Sequence, residues 1–585
     1  MTVPNAMPAG AARPDEDVDV LVIGSGAGGM TAAITAAAAG RSVLVVEKAD
    51  RFGGSSALSG GGLWVPGAPA QRREGYAPDP DETVAYLKHL TRGDVSEERI
   101  RAYVDDAPRM LEFLEGLGPH MRFVWKPGYP DYFPEAPGGS AHGSVINIPQ
   151  IDRRDLGADE PKLLTPHGIV PNGMWIAPNE LRDFYQLRQT WRAKRLFVRL
   201  VWRMVRARLT GERIITIGQA LMTRLFLTAR GLGVRLWLSS PMTSLLTADG
   251  GVVGAAVEHE GRSIRVHARC GVILATGGFE HDADMRAEYQ PAARADFSLG
   301  AESNTGDGIR AAREVGAALE RMDSAWWYPC ISWGPGRVQF SLNERMMPAQ
   351  LIVDSTGERY INEATPYSEF GLAMIEAEGT DAERIPSWLI TDDRSWRKYV
   401  IFGHLPLPKI PFAPAPTGHA LPKAWRDSGS VVKADTFEAL ARGIGVAPER
   451  LRATIARYNT IAASGDDTDF GRGRSEYDRY YSDLTIPTPN LLPLGRGPYY
   501  AFKLVLADLG TNGGIATDAR ARALRADGTP IPGLYATGNV SSSVMGYSYA
   551  GAGATIGPAM SFGHIAAEDA VARQDAEDAS PGAAL

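Results

Sequence analysis

The chain has 585 residues, 44% of them hydrophobic and 22% charged, with a formal charge of −7. That length suits two or three domains, the composition excludes wholesale disorder, and the acidic balance argues against a nucleic-acid binder, whose basic footprint is missing. Two cysteines, Cys270 and Cys330, lie far apart and in no CxxC pattern, which argues against a disulfide framework or cysteine-ligated cluster and points to a reducing compartment.

Residues 1–16 are small, Pro-rich and polar, the composition of a disordered leader. They lack the basic and apolar regions of a signal peptide, and no run of 18 apolar residues predicts a spanning helix, so the expected location is cytoplasmic. Residues 18–23 predict a strand. Gly24-Ser25-Gly26-Ala27-Gly28-Gly29 follows, then an alanine-rich helix over about 30–39 and a second strand over 42–46, ending at Glu47. This βαβ unit carries GxGxxG at its first turn and an acid 18 residues beyond the last glycine, the Rossmann-type dinucleotide fingerprint. Backbone N–H groups of Gly24, Gly26, Ala27, Gly28 and Gly29 can approach a pyrophosphate at the positive helix end, and Glu47 can accept from a ribose hydroxyl. An ordinary tight βα turn is the competing reading.

The run 53–62 supplies Gly54, Ser55, Ser56, Ser59, Gly60, Gly61 and Gly62, small residues and hydroxyls suited to a longer ligand. Met242 and the strand-end turn Ala275-Thr276-Gly277 add backbone to the same site, as do Asn539 and Ala554-Thr555-Ile556 near the C-terminus. A nicotinamide cofactor does not need these; a long, buried FAD does. The run 53–62 has no His or Cys, so the FAD is expected to be non-covalent.

Between these motifs, 81–117 predicts helix, 129–143 a Pro/Gly loop, 179–209 a basic helix and 264–275 a strand. Residues 300–487 mix strands, helices and Pro-rich loops. The expected fold is α/β: a Rossmann-type FAD-binding domain split into 17–287 and 492–585, with an α+β catalytic domain inserted at 288–491. In the basic helix Arg188, Arg192, Arg195, Arg199, Arg203 and Arg206 recur every three or four residues, while Leu187, Trp191, Val198, Trp202, Val205 and Leu209 recur on another face. That pattern fits a helix lying on a membrane surface, and equally one packed on its own protein with a solvated arginine face. The ten histidines show no metal-ligand spacing, and Cys330 reads as an ordinary buried thiol.

The chain resembles the 3-ketosteroid Δ1-dehydrogenases of the fumarate reductase flavoprotein superfamily, over about 19–567. Superfamily-wide elements are the GSGAGG turn, Glu47-Lys48, GGSS, Thr305-Gly306-Asp307-Gly308, the segment 358–363 (ERYINE), Gly513-Gly514 and Ala536-Thr537-Gly538-Asn539. They imply a flavoprotein, with Lys48 beside the cofactor. Where fumarate reductases place His and Arg for a dicarboxylate, this chain has Trp326-Trp327-Tyr328-Pro329 and Asp508-Leu509-Gly510-Thr511, aromatic and neutral residues that suit an apolar ligand. The string 544–560 (VMGYSYAGAGATIGPAM) is similar to the ketosteroid enzymes.

That resemblance implies Tyr549 and the Gly553 N–H as the carbonyl-binding pair, Tyr367 as the catalytic base and Tyr132 as a further active-site tyrosine, with Tyr129 the competitor for the last role. The implied reaction takes the C2 proton to Tyr367 and the C1 hydride to FAD N5, with Tyr549 and Gly553 forming an oxyanion hole at O3. A phenol has a pKa near 10 and needs a donor such as Tyr132 to serve as base, so a neutral-to-alkaline optimum is expected. Three alternatives stay open: a 3-keto-5α-steroid Δ4-dehydrogenase, a dicarboxylate reductase, and a flavin-binding protein without turnover. The expected partners are a 3-ketosteroid, a quinone or other electron acceptor and a membrane surface at about 180–209, with no nucleic acid and no metal.

Overall fold

The computed structural model describes residues 16–166, 175–293, 297–334, 337–409 and 415–579. The expected leader lies outside these residues apart from Glu16, which belongs to the first strand.

β1 (Glu16–Ile23) is buried without alternation from Val20 onward, the pattern of a strand covered on both faces. α1 (Ala27–Ala38) and β2 (Val43–Val46) complete the expected βαβ unit. The helix starts three residues before the sequence expectation because its glycines pack rather than turn. A Cβ on Gly28 would meet Ala559 O at 2.7 Å, and one on Gly29 would meet Gly24 O at 2.2 Å. Both expected long helices are broken. The first divides into Pro80–Thr91 and Glu97–Gly116, with Arg92 and Gly93 left-handed between them and Ser96 capping the second. The basic one divides into Leu181–Tyr185 and α2 (Trp191–Thr210), whose N-cap Thr190 accepts from Ala193 N.

β3 (Arg262–Leu274) pairs in parallel with β1, and β5 (Pro530–Ala536) in parallel with β3, after α3 (Tyr367–Ile375) and β4 (Tyr499–Thr511) have intervened in the chain. Register sets Ile23 opposite both Val46 and Leu274, and Leu274 opposite Ala536. The residues that follow, Gly24, Glu47, Ala275 and Thr537, therefore share the carboxyl edge of one parallel sheet, where open α/β sheets bind their ligands. The last helix, α4 (Ile556–Ala579), crosses α1 so closely that a Cβ on Gly563 would meet Gly28 O at 2.4 Å. That crossing brings the glycine-rich segment before α4 to the same edge.

A second, antiparallel sheet is ordered Val338–Phe340, Ala325–Ser332, β4, Ser387–Asp392 and Gln350–Val353, with Val431–Ala434 also beside β4. Here the expected boundaries shift. β4 is central to this sheet although the sequence reading gave 492–585 to the FAD part. The helix Asp307–Glu314, expected in the inserted part, buries Ile309 and Ala312 in the core of the first sheet. Local apolar pattern fixes a strand's existence, and only its distant partners decide its sheet.

Candidate active site

A cavity of about 1300 Å³ runs along the carboxyl edge of the parallel sheet and into the second sheet's domain. Its first half is a cradle of backbone. Gly26, Gly54 and Gly60 present open space where a side chain would project: a Cβ on Gly26 meets only Ser56 Oγ, at 3.6 Å, and one on Gly60 meets nothing within 4 Å. The start of α1 points into this space, with Ala27 N donating to Ser56 Oγ at 3.0 Å.

Glu47 is buried on the cavity wall. Its Oε2 accepts from Ser25 N and Ser25 Oγ (3.0 and 2.6 Å), and its Oε1 accepts from Ala49 N (3.0 Å). A carboxylate has about four acceptor sites, so three bonds orient Glu47 and leave room for a hydroxyl. Lys48 donates to Thr305 Oγ1 and Asp307 Oδ2, and Ser55 Oγ accepts from Ala301 N and Asn304 Nδ2, both at 2.9 Å. Ser59, Gly61, Gly62, Met242, Ala275, Thr276, Gly277, Asn539, Thr555 and Ile556 also line the cavity. Gly29 and Ala554 do not: Gly29 is the helix-to-strand packing glycine, and Ala554 is fully buried. Open glycines, a helix N-terminus, a buried acid and several hydroxyls together fit a long dinucleotide such as FAD.

Gly26 tests that fit without threatening the fold, because its φ of −68° suits any residue. Gly26→Val is expected to keep its far-UV circular dichroism and to lose roughly tenfold or more in bound flavin, read as absorbance near 450 nm per protein. Full flavin content in the folded variant would contradict the cradle.

The other half of the cavity is walled by aromatics. Tyr367 opens α3, held in place as Arg345 Nη1 donates to the carbonyls of Glu363 and Thr365 (2.7 and 3.1 Å). Tyr132 comes from the loop after Tyr129, whose backbone is tied down where Tyr132 N donates to Ala550 O at 3.0 Å and Trp64 Nε1 donates to Asp131 Oδ1 at 2.8 Å. Ring centroids separate Tyr132 and Tyr367 by 5.4 Å, Tyr367 and Tyr549 by 5.2 Å, and Tyr132 and Tyr549 by 5.5 Å. All three rings line the cavity. Tyr129 also lines it but stacks on Tyr480, with centroids 4.5 Å apart.

Thr555 Oγ1 donates to Tyr549 Oη at 3.1 Å, and Gly553 lines the cavity with it. Gly553 itself can be nothing else: its φ is +97°, and a Cβ would meet Gly62 backbone at 2.5 Å. Burial pushes Tyr367 well above the ordinary phenol pKa, while hydrogen bonding from Tyr132 acts the other way. Burial likewise raises Tyr549, opposed by the donors aimed at its oxygen.

Phe340 on the wall and Tyr477 behind it have no motif in the sequence: Phe340 lies 5.3 Å from Tyr367, and the Tyr477 ring lies 4.7 Å from Tyr132. Trp326, expected to suit an apolar ligand, stands edge-on to Tyr549 at 5.1 Å and donates through Nε1 to Asn539 Oδ1. The only local signal for Tyr477 is a cluster of three tyrosines in residues 477–481. Asp508 is paired with buried Arg286, and its neighbour Leu509 lines the cavity.

The FAD binding domain family matches residues 19–556. The chain is 43% identical over 575 residues to the 3-oxosteroid 1-dehydrogenase of Mycolicibacterium smegmatis, covering 95% of this chain and 98% of that protein. It is 36% identical over 572 residues to the 4-oxocyclohex-2-ene-1-carboxylate 5-dehydrogenase of Sinomonas cyclohexanicum, covering 94% and 93%. Among solved structures it matches the 3-ketosteroid Δ1-dehydrogenase of Sterolibacterium denitrificans, crystallised with 1,4-androstadiene-3,17-dione, at a TM-score of 0.86 and 36% identity, over 95% of this chain and 100% of that one.

Proposed function

The chain belongs to the FAD-dependent 3-oxosteroid 1-dehydrogenases, and from that premise we propose that it removes the C1 and C2 hydrogens of a 3-ketosteroid, with Tyr367 as base and Tyr549 and Gly553 as oxyanion hole. The observation that carries this reading is the meeting of Tyr132, Tyr367 and Tyr549 on one cavity wall, with Gly553 lining the same cavity. Bound FAD supplies the acceptor for the C1 hydride at its N5. The chain's own residues do the rest. Tyr549 O–H and Gly553 N–H donate to the 3-keto oxygen, where negative charge develops as the C2 proton leaves. Tyr367 accepts that proton, and Tyr132 donates to Tyr367 so that the phenolate is not left bare in a dry site. Arg345, fully buried, is hydrogen-bonded to backbone carbonyls beside the site, and its charge acts to lower the buried Tyr477 phenol.

The pH dependence follows from sign. The base works deprotonated, and burial raises its pKa, so kcat/KM rises with pH through the neutral range into the alkaline one. A rate profile peaking below about pH 6 would sink the tyrosine base. Regiochemistry is tested with 5α-androstane-3,17-dione: a 1-ene by NMR supports the proposal, a 4-ene replaces it with the Δ4 reaction, and fumarate reduction without steroid turnover removes it.

We further propose that α2 seats the enzyme on a lipid surface, with a quinone in that lipid as electron acceptor. No helix among the described residues is long and apolar enough to cross a membrane. α2 packs inward through Ala193, Leu196, Leu200 and Ala207 and turns its apolar stripe outward: Trp191 and Leu209 are 79% exposed, Val198 67% and Trp202 63%. Leu187, expected on that stripe, is buried outside the helix. Arg203 lies over the ring of Trp175, a residue on the cavity wall, so the helix flanks the steroid's path. Replacing Trp191 and Trp202 with Ser is expected to weaken cosedimentation with anionic liposomes roughly tenfold or more. Wild-type protein that ignores such liposomes would contradict the attachment.

A further inference from the structure

One charge on the cavity wall has no use in the reaction above. Lys126 lines the cavity and is 6% exposed. Its Nζ sits 4.4 Å from the ring centroid of Tyr129 and 5.6 Å from that of Tyr480, and it has no hydrogen bond or ion pair among the described residues. Arg182 brings a second cation over the same Tyr480 ring, 5.0 Å from its centroid. Burial and the Arg182 charge push the Lys126 ammonium down to about 7. Ring faces attract an ammonium, but they satisfy none of its three N–H donors as an oxygen would. A buried, unpaired ammonium facing open space is a group waiting for an acceptor.

Lys126 lines the same cavity as the reacting tyrosines but rests on Tyr129 and Tyr480, outside the cluster of Tyr132, Tyr367 and Tyr549. A steroid with its 3-keto group at Tyr549 and Gly553 runs along that cavity, and its D-ring substituent points away from the reacting end. We propose that Lys126 binds a carboxylate on the D-ring side of the substrate, so that the preferred substrates are 3-keto steroid acids. This rests on the assignment of the A ring to Tyr549 and Gly553. A carboxylate completes the ammonium's donors with charge-assisted hydrogen bonds and restores its full charge, which a hydrocarbon side chain does not.

The test compares each acid with its own methyl ester, which keeps shape and removes charge. The substrates are 3-oxoandrost-4-ene-17β-carboxylate and 3-oxochol-4-en-24-oate, their methyl esters, and androst-4-ene-3,17-dione. Holoenzyme, Lys126→Met and Lys126→Arg are assayed after their flavin content has been matched. The expected result is a preference in kcat/KM of roughly 30-fold or more for at least one acid over its ester, carried by KM. That ratio is expected to fall toward one in Lys126→Met and to survive largely in Lys126→Arg. Turnover of the dione with no acid preference, or the same preference in Lys126→Met, overturns the role of Lys126 alone. Failure to oxidise any of the five ketones overturns it together with the steroid reading.

Discussion

Tyr367→Phe is expected to lower kcat for 3-ketosteroid oxidation by roughly 10³-fold while leaving flavin content intact. General-base proton transfer contributes about 10²–10⁴ in rate, and this substitution removes the only atom that could accept the C2 proton from that position. The variant is a clean one, because Phe keeps the ring. The edge contacts of Tyr367 with Tyr132 and Phe340, at 5.4 and 5.3 Å, and its packing on Tyr549 at 5.2 Å are ring contacts. The segment leading into α3 is held by Arg345 through the carbonyls of Glu363 and Thr365, not through the phenol. The measurement is stopped-flow loss of the 450 nm band on anaerobic mixing with steroid. A fall of less than fivefold would mean that another group takes the proton.

Tyr549→Phe is the second large effect. Losing one oxyanion-hole donor costs about 2.7–4 kcal/mol, or 10²–10³ in kcat, because the charge on O3 develops only as the reaction proceeds. The loss is expected chiefly in kcat, since a ketone in the ground state bonds such donors weakly. Gly553 N–H stays as the second donor, fixed by a left-handed turn that no other residue fits, so activity falls without vanishing. The phenyl ring retains its contacts with Trp326 and Tyr132. An effect confined to KM would instead make Tyr549 a binding residue of the resting ketone.

What could be read from the sequence follows how far apart the interacting residues lie in the chain. The βαβ turn and Glu47 were legible because the whole fingerprint fits in one short segment and its parts meet at one sheet edge by register. Gly29 and Ala554 are not separable from the lining residues by spacing, which cannot say which small residue faces a ligand and which packs inside the protein. The sheet that β4 joins is not legible locally because its partners, Ser387–Asp392, Ala325–Ser332 and Val431–Ala434, all lie far from it in the chain. Tyr477 and Lys126 were missed for a similar reason: neither belongs to a local motif, and each acquires meaning only when the loop at Tyr129 folds onto residues 477–481. For α2 the helical period gave the two faces but not their direction. The structure packs α2 on the protein through Ala193, Leu196, Leu200 and Ala207 and points the stripe of Trp191, Val198 and Trp202 away.

The central claim is that this cavity oxidises a 3-ketosteroid across C1–C2 with the chain's own FAD. Its most direct test is a single anaerobic turnover: one equivalent of androst-4-ene-3,17-dione mixed with the yellow holoenzyme, the 450 nm band followed, and the steroid recovered for mass and NMR. Bleaching of the band with stoichiometric androsta-1,4-diene-3,17-dione is the expected result. An unbleached flavin with the steroid recovered unchanged would contradict the account.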